Sequence, residues 1–272
     1  MLVHGVKIGL RATQPDILDH ITPVLPPGWK PVRADVVHKL YSIIAGGADP
    51  ASRVRRFHMV YSDYVRIART MDLADMWRHV ARDVSLWTAM LAPHRVFLHA
   101  GVVGWRGRAL LLPGRTLAGK STLVAALVKQ GATYYSDEWA VLDAQGRVHP
   151  FARPLSIRHP ADQGGGESSV SVESIGGRAG KSPLPVGLVV MTNFDPRKRW
   201  APRPLSAAEG ALAMVEHAVQ MDRDPPRVLG TLRQIVSRAP VLASARSQAD
   251  DVVADLLGRL DSAAAHRVGA RP

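Results

Sequence analysis

Apolar residues recur along the chain with two different periods, and their arrangement changes at residue 96. In the first part, PVLPPGWKPV is a proline-rich turn region and RRFHMVYSDYVRIART alternates in the manner of strands. MDLADMWRHVARDVSLWTAMLA then sets Leu73, Met76, Trp77, Val80, Val84, Trp87 and Met90 three and four residues apart, the spacing of a helix with one apolar face. That Met and Trp stripe reads as core rather than as a cofactor site. Residues 1–95 are thus expected to form a smaller N-terminal α+β unit.

From residue 96 the runs shorten and alternate in type. RVFLHAGVVGW and RALLLPG are apolar runs joined by the turn WRGR, which predicts paired strands. KSTLVAALVKQG predicts a helix closed by Gly131, and ATYYSDEWAVLD a strand with acidic residues in its middle. AQGRVHPFARPLSIR adds a turn and a strand, DQGGGESS a mobile loop, and SPLPVGLVVMTNF a buried strand. SAAEGALAMVEHAVQM and RVLGTLRQIVSRA predict helices, APVLASA a last short strand, and QADDVVADLLGRLDSA the closing helix. Strands alternating with helices over residues 96–262 indicate an α/β domain, with 263–272 expected as a flexible tail. No internal repeat is present.

Composition narrows the class. With 46% hydrophobic and 21% charged residues the chain can bury a substantial core. Cysteine is absent, which excludes disulfides and thiolate metal sites. The start lacks a long apolar core, and VGLVVM is far too short to cross a bilayer, so a cytoplasmic protein without membrane contact is expected. The formal net charge is +12, yet the arginines are spread along the chain and aromatics are few, which disfavours nucleic acid as a partner. An acidic peptide or a phosphorylated ligand fits that charge at least as well. A homo-oligomer remains open.

One stretch carries chemistry. Gly114, Arg115, Thr116, Leu117, Ala118, Gly119, Lys120 and Ser121 match G-x-x-x-x-G-K-[ST] at every fixed position, and Thr122 follows inside the predicted helix. Glycines let successive N–H groups turn inward to make a nest for phosphate oxygens at a helix N-terminus. Lys120 would then reach the β- and γ-phosphates of a nucleotide such as ATP, and Ser121 would bind Mg²⁺. TNFDP lacks the lysine of a base-reading N-K-x-D motif, and SIGGR is only a weak echo of L-S-G-G-Q. The acidic pair Asp137-Glu138 follows Ser121 by one helix and one strand. A carboxylate there takes a proton from an incoming hydroxyl or holds the metal, unless the pair merely ends a strand at the surface.

LHAGVV, the glycine loop, a helix and YSDEWAVLD in that order resemble the catalytic core of the HPr kinase/phosphorylase family and its shorter HPr-kinase-like relatives. The resemblance spans roughly residues 96 to 195. It implies a P-loop α/β fold similar to PEP carboxykinase and a Mg·ATP-dependent kinase acting on a serine hydroxyl of a peptide or protein. By position it implies Asp137 as the catalytic acid/base and Glu138, where the family usually has Asp, as a partner carboxylate that contacts the metal or pairs with an arginine. It also implies that His99 lies near the γ-phosphate. The family's Glu-Ile-Arg-Gly-like signature is matched only in part by VESIGGR, which offers Glu173 for the metal and a displaced Arg178. Nothing supports the family's reverse phosphorolysis. Relatives of this kind include kinases of natural-product precursor peptides such as lasso peptides. A kinase of a small-molecule alcohol, an ATPase without an acceptor, and a nucleotide-dependent binding protein are the alternatives.

Overall fold

The computed structural model describes residues 1–46, 56–115, 118–158 and 167–268. It divides into two compact units, Met1–His94 and Arg95–Pro272, one residue from the boundary read in the sequence. The loop expected over DQGGGESS lies largely outside the described residues, as do Thr116 and Leu117 of the glycine loop.

The first unit is α+β. Five strands follow one another across its sheet: β1 (Leu2–Val3), β2 (Val6–Ala12), β3 (Lys39–Ile44), β4 (His58–Ser62) and β5 (Val65–Thr70). Only β2 and β3 run parallel. Helix α1 (Leu73–Leu91) begins where the Asp72 side chain accepts the Ala74 N–H at 2.9 Å. Met76, Trp77, Val80 and Val84 are buried on one face of it. Leu73 is 37% exposed and does not join that stripe, because it sits in the solvent-facing first turn. Lys39 Nζ lies 3.9 Å from the centre of the Trp87 ring, a cation–π contact where the periodicity alone predicted plain core.

The second unit is mixed α/β around an eight-stranded sheet. β6 (Val96–Trp105) and β7 (Arg108–Pro113) form the expected hairpin, turned at Arg106 and Gly107, both at positive φ. Helix α2 (Lys120–Lys129) follows, and Gly131, at φ 93°, ends it as predicted. ATYYSDEWAVLD is not one strand but two, β8 (Thr133–Ser136) and β9 (Trp139–Leu142), both paired with β6. The interruption is local chemistry. Ser136 Oγ accepts the N–H groups of Glu138 at 3.2 Å and Trp139 at 2.9 Å, taking donors that a continuous ladder would use.

β10 (Arg147–His149) pairs with both β9 and the start of β13 (Leu184–Phe194), so β9, β6, β7, β13 and β10 close a circuit of pairings. A small two-stranded sheet, β11 (Leu155–Arg158) with β12 (Glu167–Val170), lies apart. β13 runs parallel to β7 on one side and to β15 (Val241–Arg246) on the other, and β14 (Arg203–Leu205) edges β15. Alternation along these strands sorts the core into two layers. Leu110, Leu112, Leu188, Val190 and Leu242 pack with α2 and α5 (Asp250–Val268). Ala109, Leu111, Val186, Val189 and Val241 pack with α3 (Ala207–Val215) and α4 (Pro225–Val236). α5 continues to Val268, past the end expected at 262. Among the described residues no helix is long and apolar enough to cross a membrane.

Candidate functional site

The parallel strands β7, β13 and β15 deliver their carboxyl ends to one rim, the place where open α/β sheets gather ligands. β7 runs out at Pro113 into the glycine loop, which leads directly into α2. The Gly114 N–H donates to the His99 carbonyl at 3.2 Å, so the loop starts against β6. A Cβ on Gly114 would lie 3.3 Å from that of Ala118, tighter than ordinary contact. Gly119 is left-handed at φ 77° and heads α2 with no side-chain cap. The first intrahelical bond is Leu123 N–H to Gly119 O, leaving the N–H groups of Lys120, Ser121 and Thr122 ahead of it.

Lys120 folds back over this loop. Its Nζ donates to the carbonyls of Gly114 and Arg115, each at 2.8 Å. Burial pushes its pKa down to about 8, against the partial support of the Asp137 and Glu138 carboxylates. Ser121, one residue on, donates its hydroxyl to Asp137 Oδ2 at 2.9 Å. The break between β8 and β9 thus carries Asp137 to the start of α2, rather than leaving it as a solvent-exposed strand end.

Asp137 is 8% exposed and fixed on both oxygens. Oδ2 also accepts the Ser156 N–H at 3.0 Å. Oδ1 lies 2.9 Å from the Tyr134 hydroxyl, which lies 2.8 Å from the Arg153 carbonyl as well. Burial and the neighbouring Asp137 charge raise the Tyr134 pKa far above the phenol range. Glu138 points another way, with Oε2 3.7 Å from the Arg153 guanidinium. Of the two roles open to it, metal ligand or arginine partner, the structure displays the second.

Comparison with protein-family models, with curated proteins and with solved structures gives no match. The site therefore stands on its geometry.

His99 lies on β6 directly across from Trp139, their ring centroids 5.6 Å apart. Burial, then the charges of Lys120 and His217, lower its pKa to about 4, so the ring is neutral at pH 7. Its backbone N–H donates to the His217 carbonyl at 2.8 Å. This contact exposes a misreading. The helix expected over SAAEGALAMVEHAVQM stops at Val215, because Ala218 bridges to Leu98 and the Val219 N–H donates to the Phe97 carbonyl at 3.2 Å. Residues 216–219 lie along β6, and His217 comes to share the corner of His99 and Lys120. Burial lowers its pKa too, aided by Lys120 and Arg115. Arg115 pairs with Glu216 at 3.3 Å on the exposed side.

Glu173 is not brought to this group. The 3-10 turn Glu173–Ile175 packs on the far end of α2, and a Cβ on the nearby Gly177 would collide with Val128. Val128 is eight residues past Lys120, a rise of about 12 Å. No hydrogen bond among the described residues joins Arg178 to the loop, and the Arg178 carbonyl accepts the Tyr134 N–H at the start of β8. Among the described residues no group of three or more His, Asp or Glu is arranged to hold a metal ion. Ser121 Oγ and Asp137 Oδ2 are, among the described residues, adjacent oxygens of the type that hard cations such as Mg²⁺ take alongside water and phosphate. Sequence reasoning also missed Arg246, which ends β15 and is 1% exposed behind Gly119.

Proposed function

We propose that this chain is a P-loop kinase of the HPr-kinase-like kind, transferring the γ-phosphoryl group of ATP to the serine hydroxyl of a peptide or protein substrate. The observation that carries the proposal is the 2.9 Å bond between Ser121 of the glycine loop and the buried carboxylate of Asp137. A phosphate nest and a base in direct contact are what phosphoryl transfer requires and what a bare phosphate site does not.

The chain's residues divide the work as follows. The N–H groups at the start of α2 bind phosphate oxygens, and Lys120 exchanges its two loop carbonyls for the β- and γ-oxygens. Ser121 would hold Mg²⁺, which when bound would neutralise phosphate charge, leaving Asp137 as the base. Tyr134 and the Ser156 N–H keep the Asp137 carboxylate aimed. The substrate hydroxyl attacks the γ-phosphorus, its proton passes to Asp137, and the bond to the β–γ bridging oxygen breaks to release ADP. His99, neutral and packed on Trp139, lines the approach without adding charge. The surplus of arginine suits an acidic peptide.

Asp137→Asn keeps the shape, and its one amide oxygen can still accept from Ser121 and the Ser156 N–H. It is expected to bind ATP within a few-fold of wild type and to lose transfer by about 10²–10⁴-fold. Lys120→Ala should lose both. The measurement is phosphate incorporation into a serine peptide, beside nucleotide affinity by calorimetry. Transfer at the normal rate in Asp137→Asn overturns the assigned base. Steady phosphate release without any acceptor would instead favour an ATPase.

A further inference from the structure

A buried cation stands behind the glycine loop. Arg246 is 1% exposed, at the last position of β15. One terminal nitrogen donates to the Gly119 carbonyl at 2.7 Å and the other to the Ser247 carbonyl at 3.1 Å. Its Nε is buried and has no hydrogen-bond partner among the described residues. None of their carboxylates pairs with it either. Burial alone lowers its pKa from the usual arginine value.

Such a charge is costly. An ionised group taken out of water needs a counter-charge or a full set of hydrogen bonds, and among the described residues Arg246 donates to two neutral carbonyls. Those carbonyls do not cancel a whole positive charge. The nearest feature built to receive an anion is the loop that Arg246 touches. Gly119 is the residue before α2, and a Cβ added there would lie 2.7 Å from the guanidinium. The left-handed turn of Gly119, its lack of a side chain and the arginine behind it are one arrangement.

We infer that Arg246 is a positioning residue whose charge is balanced by the phosphates held in the glycine loop, so that a polyphosphate is the missing counter-ion of this fold. The inference rests on the nucleotide reading above and adds two things to it. It assigns part of phosphate affinity to a residue far along the chain that matches no motif. It also makes the ligand-free protein the strained state and the phosphate-bound protein the relaxed one. Arg246 reaches the ligand through Gly119 and through its field, not by contact.

The test uses Arg246→Gln and Arg246→Lys in the full chain, with inorganic pyrophosphate and ATP as probes, followed by thermal unfolding and calorimetric titration. Arg246→Gln is expected to unfold at or above the wild-type temperature without ligand, because an uncompensated charge is gone. It should lose most of the ligand-induced rise in unfolding temperature and bind pyrophosphate about 10–100-fold more weakly. Arg246→Lys keeps the charge and should recover most of that affinity. A strut without an electrostatic role would behave oppositely, with a lower ligand-free unfolding temperature and an unchanged ligand-induced rise, and that result overturns the inference. Failure of Arg246→Gln to fold counts against it too, and Arg246→Lys binding no better than background would sink it independently. If wild type binds neither pyrophosphate nor ATP, the nucleotide reading itself has failed.

Discussion

His99 and Lys120 share one desolvated corner, and each titrates outside its ordinary range for that reason. His99 falls from 6.5 to about 4 on folding. Between those values the unfolded chain takes up a proton that the folded chain refuses, so stability declines as pH drops from 6.5 toward 4. His99→Gln should flatten that decline, read as the urea midpoint across the same interval. Lys120 falls from 10.5 to about 8, so its charged form is disfavoured in the fold and stability rises with pH from 8 to 10.5. Above pH 6.5 the histidine contributes nothing to the slope, which separates the two groups. Both residues were visible in the sequence because each lies within a contiguous run, LHAGVV or GRTLAGKS. His217 and Arg246 were not visible. Each depends on a segment folding back from a distant part of the chain, and neither belongs to a pattern.

At the scale of elements, the approach of β6 to α2 governs where the loop sits. Gly101 faces the helix so closely that a Cβ there would lie 2.7 Å from Val124 Cγ2 and 3.7 Å from Lys120 Cβ. Gly101→Ala therefore overpacks this seam. It is expected to cost about 1–3 kcal/mol in chemical denaturation and to weaken phosphate binding by tilting the start of α2. Most elements were legible because strand and helix periods differ so strongly in this chain. The failures have local causes. The single strand expected over ATYYSDEWAVLD became two through the Ser136 hydroxyl, and the helix expected through Met221 ended early because β6 offered its backbone a partner. VESIGGR mimicked a metal-site signature in composition, whereas its position is set by packing on Val128, at the wrong end of α2.

On the scale of the whole molecule, the division at residue 94 separates two cores. Every residue placed at the candidate site lies in the second unit. A fragment of residues 95–272 is thus expected to unfold in one cooperative urea transition and to bind pyrophosphate within a few-fold of the full chain. Calorimetry and circular dichroism on the fragment check both statements, and a fragment that binds equally but transfers poorly would assign residues 1–94 to acceptor capture. The closed circuit of β9, β6, β7, β13 and β10 joins strands that are far apart in the chain, which implies slow folding for this unit.

The bond from Arg246 to the Gly119 carbonyl spans 127 positions. A nascent chain therefore displays its glycine loop long before the residue that anchors it has been made. Until β15 leaves the ribosome and lies down beside β13, α2 has a loop but no backing, and the buried charge does not yet exist. Among the described residues, the site is thus completed by the last strand in chain order. Chains released after the motif is complete but before residue 246 carry the whole glycine loop and lack the side chain that backs it.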